Sequence, residues 1–197
     1  MLNLPIYNSR VFVIKYMYKR HAAKITKGSV LVFRLGDVIV YGNEGVFSVG
    51  EYTSSPIDKK DERVYYVLIP IIGAANNRIL APSEGGSVPM RAVMSRDEAN
   101  DLIARISEIP EVTVVNERER KENYRTVMRE GGSDALISII KTVRRRRAEF
   151  LAQKRRLAET DTDFEGRAKR CLFGELSVAL GITIAEAEAI VAGEICK

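Results

Sequence analysis

Tryptophan is absent from this chain of 197 residues, histidine occurs once, at His21, and cysteine twice, at Cys171 and Cys196. Each scarcity removes a class of chemistry. With a single imidazole in a basic segment, His-centred nucleophile and hydrolase constellations and the common zinc sites lack parts, so no enzyme activity, metal or cofactor is expected. The two cysteines form no Cys-x-x-Cys pair, which fits a reduced, cytoplasmic setting. Long apolar runs are missing as well. A membrane span needs about 20 apolar residues, and the most apolar stretch, Val64 to Ala75, is interrupted by Pro70 and Gly73. No membrane partner is expected.

Enough apolar residues are present, 46% against 29% charged, to bury a core. The charge is unevenly spread. Residues 1–30 carry six basic side chains and no acid, and residues 31–110 carry eight basic and eleven acidic ones. From Arg118 to Arg156 there are 13 basic against 5 acidic residues, and from Glu159 to Glu194 the balance reverses to 3 against 8. The uninterrupted run Arg144-Arg145-Arg146-Arg147 concentrates the positive field. Such a block attracts phosphate backbones or an acidic protein surface, and a solvated helix face is the competing reading.

Two kinds of periodicity divide the chain. Val32 to Arg34, Val38 to Tyr41, Val46 to Ser54, Arg63 to Ile72 and Arg78 to Pro82 read as short strands separated by turn residues such as Gly42-Asn43-Glu44-Gly45. Five short strands in about fifty residues imply a small antiparallel barrel, because so short a sheet buries a core only by curling on itself. After a joining segment, Ser83 to Met94, the period turns helical. Ser95 with Glu98, and Thr183 with Glu186, are capping boxes; Thr162 with Glu165 reads as a third. Ser133, after Gly131-Gly132, is placed to cap a long helix with an apolar stripe of Leu136, Ile139, Ile140, Val143 and Phe150-Leu151. The fold expected is two-domain α+β. Residues 1–30 are a basic extension that could be a disordered arm, 31–94 the barrel and 95–197 an all-helical domain. Gly131-Gly132-Ser133 and Glu84-Gly85-Gly86-Ser87 lack the lysine of a phosphate loop, Asp161-Thr162-Asp163 lacks the later ligands of a calcium loop, and Cys171 falls on an apolar helical face.

The segment Phe33-Arg34-Leu35-Gly36-Asp37-Val38-Ile39-Val40-Tyr41-Gly42-Asn43-Glu44-Gly45-Val46 resembles the opening of the CarD-like bacterial transcription regulators. Tyr65-Tyr66-Val67-Leu68, Leu80-Ala81-Pro82, Met90-Arg91-Ala92-Val93, and Arg167-Ala168-Lys169 to Gly174-Glu175-Leu176 continue the likeness in order. The resemblance implies a Tudor-like (SH3-like) barrel, shared with the polymerase-binding module of transcription-repair coupling factor, that binds the RNA polymerase β subunit through a sheet edge. It further implies a helical domain that touches promoter DNA, in a monomeric, nucleoid-associated, non-enzymatic regulator of the open complex.

By that resemblance the polymerase contact falls on Tyr52, Thr53, Ser54, Ser55, Arg78, Ile79 and Leu80. Phosphate contacts, weak by themselves, are expected from Arg118, Arg120, Lys121, Arg125, Lys141, Arg144, Arg145, Arg146 and Arg147. Family members wedge a tryptophan into the minor groove, and the matching position here is Glu117, whose carboxylate cannot intercalate and is repelled by phosphate. A barrel-plus-helix RNA-binding or ribosome-associated module is the alternative, with the same basic stretch on RNA.

Overall fold

A computed structural model of the chain describes residues 33–54, 64–72, 77–84, 86–113 and 118–196. The architecture is α+β. Five antiparallel strands, β1 (Val38–Tyr41), β2 (Gly45–Ser54), β3 (Val64–Pro70), β4 (Ile79–Pro82) and β5 (Met90–Ala92), form one sheet in the order β4-β3-β2-β1-β5. The β1–β2 turn requires backbone that few side chains adopt, and glycine supplies it at Gly42 (φ +46°) and Gly45 (φ +120°).

Alternation then builds the first core. Ile39, Tyr41, Phe47, Val49, Tyr66, Leu68 and Ala81 fall on one face and cluster with Phe33, Ile79, Val88 and Met90. Both outermost strands contribute to this cluster, so the sheet curls around it. The curl is helped by a bulge in β2 between Val49 and Glu51, where the register with β3 shifts at Gly50. Among the described residues β4 and β5 remain the two edges and do not pair with each other, so the sheet is open there.

The fifth strand differs from the one expected. Phe33 and Arg34 lie outside any strand, and Val32 is not among the described residues. Met90–Ala92, read as part of the joining segment, pairs with β1 through Ile39↔Ala92 and Tyr41↔Met90. Three residues carry too little periodicity to announce a strand; the partner strand creates it.

Five helices follow: α1 (Arg96–Ala104), α2 (Arg120–Glu130), α3 (Gly132–Ala152), α4 (Glu159–Leu180) and α5 (Ile184–Ile195), with a 3₁₀ turn at Ile106–Glu108. The capping boxes Ser95/Glu98 and Thr183/Glu186 are formed at α1 and α5. Two other expected caps are not. Helix α3 already starts at Gly132, which leaves Ser133 inside it, and α4 starts at Glu159 with Thr162 in its first turn. Glu165 is instead buried within α4 and paired with Arg147. Ile137, Ile139, Val143, Leu172 and Leu176 are almost completely buried in the helical core, whereas Leu151, expected on the apolar stripe, is 75% exposed. No single helix among the described residues is long and apolar enough to cross a membrane.

Helix α4 joins the two halves. Gly174 lets it lie against the sheet, since a Cβ there would come within 2.6 Å of Ile72 Cδ1 and 3.5 Å of Val46 Cγ2. Beside it the buried Glu175 accepts both guanidinium nitrogens of Arg91 in β5, one at 2.7 Å, and the Met94 amide at 3.0 Å. Cys171 donates its thiol hydrogen to the Asn43 carbonyl at 3.1 Å, and Asn43 Nδ2 donates to the Met128 carbonyl of α2 at 3.1 Å. Burial pushes the Cys171 thiol up to about 11, so it stays a protonated donor at neutral pH.

Candidate interaction surfaces

The edge strand is the first candidate. Ser83 donates its amide to Val64 O at 2.9 Å, one step beyond the pairs Tyr65↔Pro82, Tyr66↔Ala81, Val67↔Leu80 and Leu68↔Ile79. In an antiparallel ladder hydrogen-bonded and non-hydrogen-bonded pairs alternate. Ser83 and, by alternation, Ala81 and Ile79 therefore bond inward to β3, while the N–H and C=O of Leu80 turn outward. Pro82 has no N–H to offer, which confines the outward donor to the middle of the strand. The Leu80 side chain is 41% exposed on the outer face. Nearby, Arg78 reaches across β3 to Glu51, Nη1 to Oε1 3.8 Å, with both side chains exposed.

Only part of the expected polymerase contact shares this edge. Arg78, Ile79 and Leu80 are on β4 or next to it. Tyr52, Thr53 and Ser54 belong to β2, where they pair with Tyr66, Tyr65 and Val64, so β3 separates them from the edge. Tyr52 instead donates its hydroxyl hydrogen to Phe33 O at 2.9 Å and tilts against the Tyr66 ring. Ser55 lies outside the described residues. The order of strands in space, which the one-dimensional reading lacks, separates the two groups.

The arginine run is dispersed by helical geometry. Successive residues on α3 point about 100° apart, and each of the four meets a different partner. Arg144 donates to the Ala192 carbonyl at 3.3 Å and to Cys196 Sγ at 2.6 Å near the end of α5. Arg145 bonds Glu111 at 2.5 Å and Glu149 one turn on. Arg147 holds Glu165 of α4 with two nitrogens. The acceptors of Arg145 and Arg147 raise the guanidinium pKa in each case, because they favour the charged form. Lys141 has a capping role: its ammonium donates to the carbonyls of Ile106, Ser107 and Ile109, the last at 2.5 Å, satisfying orphan acceptors after α1.

Arg146 and Arg120, expected among the phosphate contacts, are both buried in the helical half. They converge on Asp161, which is completely inaccessible to solvent. Arg120 Nε of α2 lies 2.9 Å from Asp161 Oδ1, and Arg146 Nε of α3 lies 3.5 Å from Oδ2. Tyr124 of α2 donates its hydroxyl hydrogen to Oδ1 at 3.0 Å, and its ring packs on Phe164 at 5.3 Å between centroids. Burial, and then the carboxylate, hold this phenol well above its ordinary pKa. Arg146 also sits 5.4 Å above the Phe150 ring. Asp161 is therefore the knot of α2, α3 and α4, a role that reading Thr162 with Glu165 as a capping box leaves out. A signal was present: Arg146 falls at helical spacing between Val143 and Phe150, and a cation on an apolar stripe demands a buried counter-charge.

Six of the expected DNA contacts are exposed, three of them, Arg144, Arg145 and Arg147, on α3 and three on or just ahead of α2. Arg118, Lys121 and Arg125 are all exposed, and Arg125 is bonded only loosely, Nη1 to Glu122 Oε2 at 3.2 Å between two exposed side chains. Glu117 lies outside the described residues. A cleft of about 170 Å³ opens between α3, α4 and α5 over Ile140, Phe173 and Val191, but Arg147, Lys169, Glu165 and Glu188 on its rim already pair with one another. The chain matches no model of a known protein family, and no curated protein is similar to it in sequence.

Proposed function

We propose that this protein is a non-enzymatic, CarD-like transcription regulator. In this reading the curled sheet is a Tudor-like module that takes a strand of the RNA polymerase β subunit along β4, and the helical half rests on the backbone of promoter DNA. The observation that carries the reading is the outward N–H and C=O of Leu80 on an edge strand, flanked by the exposed Leu80 side chain and the Arg78–Glu51 pair. Such an edge gives affinity through main-chain hydrogen bonds and specificity through alternate side chains. Because Glu117 stands where the family has tryptophan, the contact with DNA is made without a wedge, and the open complex is adjusted by tethering.

The deciding experiment is capture of polymerase β from nuclease-treated lysate by the full chain and by Leu80→Pro. Proline removes the outward donor and the exposed Leu80 side chain but leaves the inward bonds of Ile79 and Ala81 in place, so the variant should fold and lose polymerase. Wild-type capture that vanishes with nuclease would favour an RNA-borne partner, and undiminished capture by a folded Leu80→Pro would move the contact away from β4. Open-complex lifetime on a ribosomal RNA promoter, with and without the protein, then reads the regulatory effect.

A further inference from the structure

Helix α2 has two distinct faces. Arg120, Tyr124 and Met128, four residues apart, are buried, the first two on Asp161. Lys121, Arg125 and Arg129, also four apart, are all exposed, and Arg118 lies exposed just ahead of them. At about 100° and 1.5 Å per residue, positions 121, 125 and 129 fall within an arc of about 80° over about 12 Å, a straight cationic row. Of the acids nearby, Glu122 borders the row, about 20° from the direction of Arg129, and Glu119 lies about 80° beyond its edge. Arg125 touches Glu122 at 3.2 Å, a solvent-exposed pair that a phosphate can replace without uncovering a buried charge.

We propose that the Lys121-Arg125-Arg129 row of α2 is the surface that meets the phosphate backbone of duplex DNA, and that the four arginines of α3 are not. The inference rests on the proposed reading and fixes which face of the helical half is turned to the DNA. Charge complementarity selects the occupant: three cations in line match successive phosphates of one strand, whereas the α3 arginines hold acids, a carbonyl and a thiol of their own fold. The Asp161 knot makes α2 a positioned element, since the carboxylate fixes its buried face and so sets the direction of the cationic row, about 100° further round the helix.

The test is fluorescence anisotropy of a 30-base-pair duplex titrated with the full chain at several salt concentrations. Lys121→Gln/Arg125→Gln/Arg129→Gln should lower the slope of log K against log salt by about 2 to 3, at roughly 0.9 per phosphate contact, and weaken binding more than tenfold at low salt. It should leave polymerase capture unchanged, which verifies folding. Arg144→Gln, the control on α3, should leave the slope where it is. If wild type binds duplex and the triple variant keeps the full slope, the location is overturned while the regulatory reading stands. If wild type binds single-stranded RNA and not duplex DNA, the regulatory reading falls and the assignment to DNA falls with it.

Discussion

Helices α2 and α3 are both dense in cations, and they use them in opposite ways. On α3 the arginines are consecutive, so the helix turns them through about 300°, and each finds its own acceptor: Ala192 on α5, Glu111 and Glu149, Asp161 on α4, and Glu165 on α4. On α2 the exposed cations are four apart, so they share one side, while Arg120 on the buried side is absorbed by Asp161. Contiguity in sequence thus disperses charge on a helix, and spacing collects it. A basic run is evidence of an electrostatic surface only after its helical phase has been read.

The strongest way to break this contrast is to remove the counter-charge. Asp161→Ala removes the buried carboxylate that two buried guanidiniums share and should cost about 3–5 kcal/mol in urea unfolding. A loss below 1 kcal/mol would show that the knot does not hold α2 in place. Raising the pH should have the next largest effect, and it separates the buried neutral groups from the arginines. The Cys171 thiol is raised in the folded state from its ordinary 9.0 to about 11. Its contribution is therefore complete below pH 9 and is lost as pH climbs toward 11, by up to about 2–3 kcal/mol. Tyr124 titrates with the same sign at higher pH, whereas Arg145 and Arg147 stay charged throughout. Cys171→Ala should flatten the part of the pH profile between 9 and 11, and a profile that keeps its slope would assign the loss elsewhere.

Smaller effects sharpen the comparison. Arg145→Gln releases Glu111 and Glu149, but the guanidinium is half exposed and water screens it, so about 0.5–1 kcal/mol is expected by thermal denaturation. Lys121→Gln with Arg129→Gln should change stability by less than about 0.5 kcal/mol, since these side chains project into solvent. Equal costs for the two helices would dissolve the distinction between them.

Local chemistry made much of the fold legible. The β-branched runs gave β1, β2, β3 and β4 nearly at their limits, and Ser-x-x-Glu and Thr-x-x-Glu marked the starts of α1 and α5, because strand alternation and capping depend on neighbours a few residues away. Thr162/Glu165 has the same spacing and failed as a cap, since Glu165 is held by Arg147 from another helix. The candidate sites were less legible. Tyr52 and Leu80 were joined into one edge although β3 runs between them, and Arg120 and Arg146 were counted with the surface cations.

The sequence by itself determined the change from strand to helix near Ser95, the apolar stripes and the concentration of cations between Arg118 and Arg156. These are properties of periodicity and composition. Tertiary structure alone decided that Met90–Ala92 becomes a strand, that β4 is an edge among the described residues, and that Asp161 neutralises arginines from two helices. Each of these joins residues distant in the chain, Arg120 and Asp161 being 41 positions apart. Whether a charge is displayed or consumed depends on which partner the fold brings within hydrogen-bonding distance, and no local pattern encodes that distance.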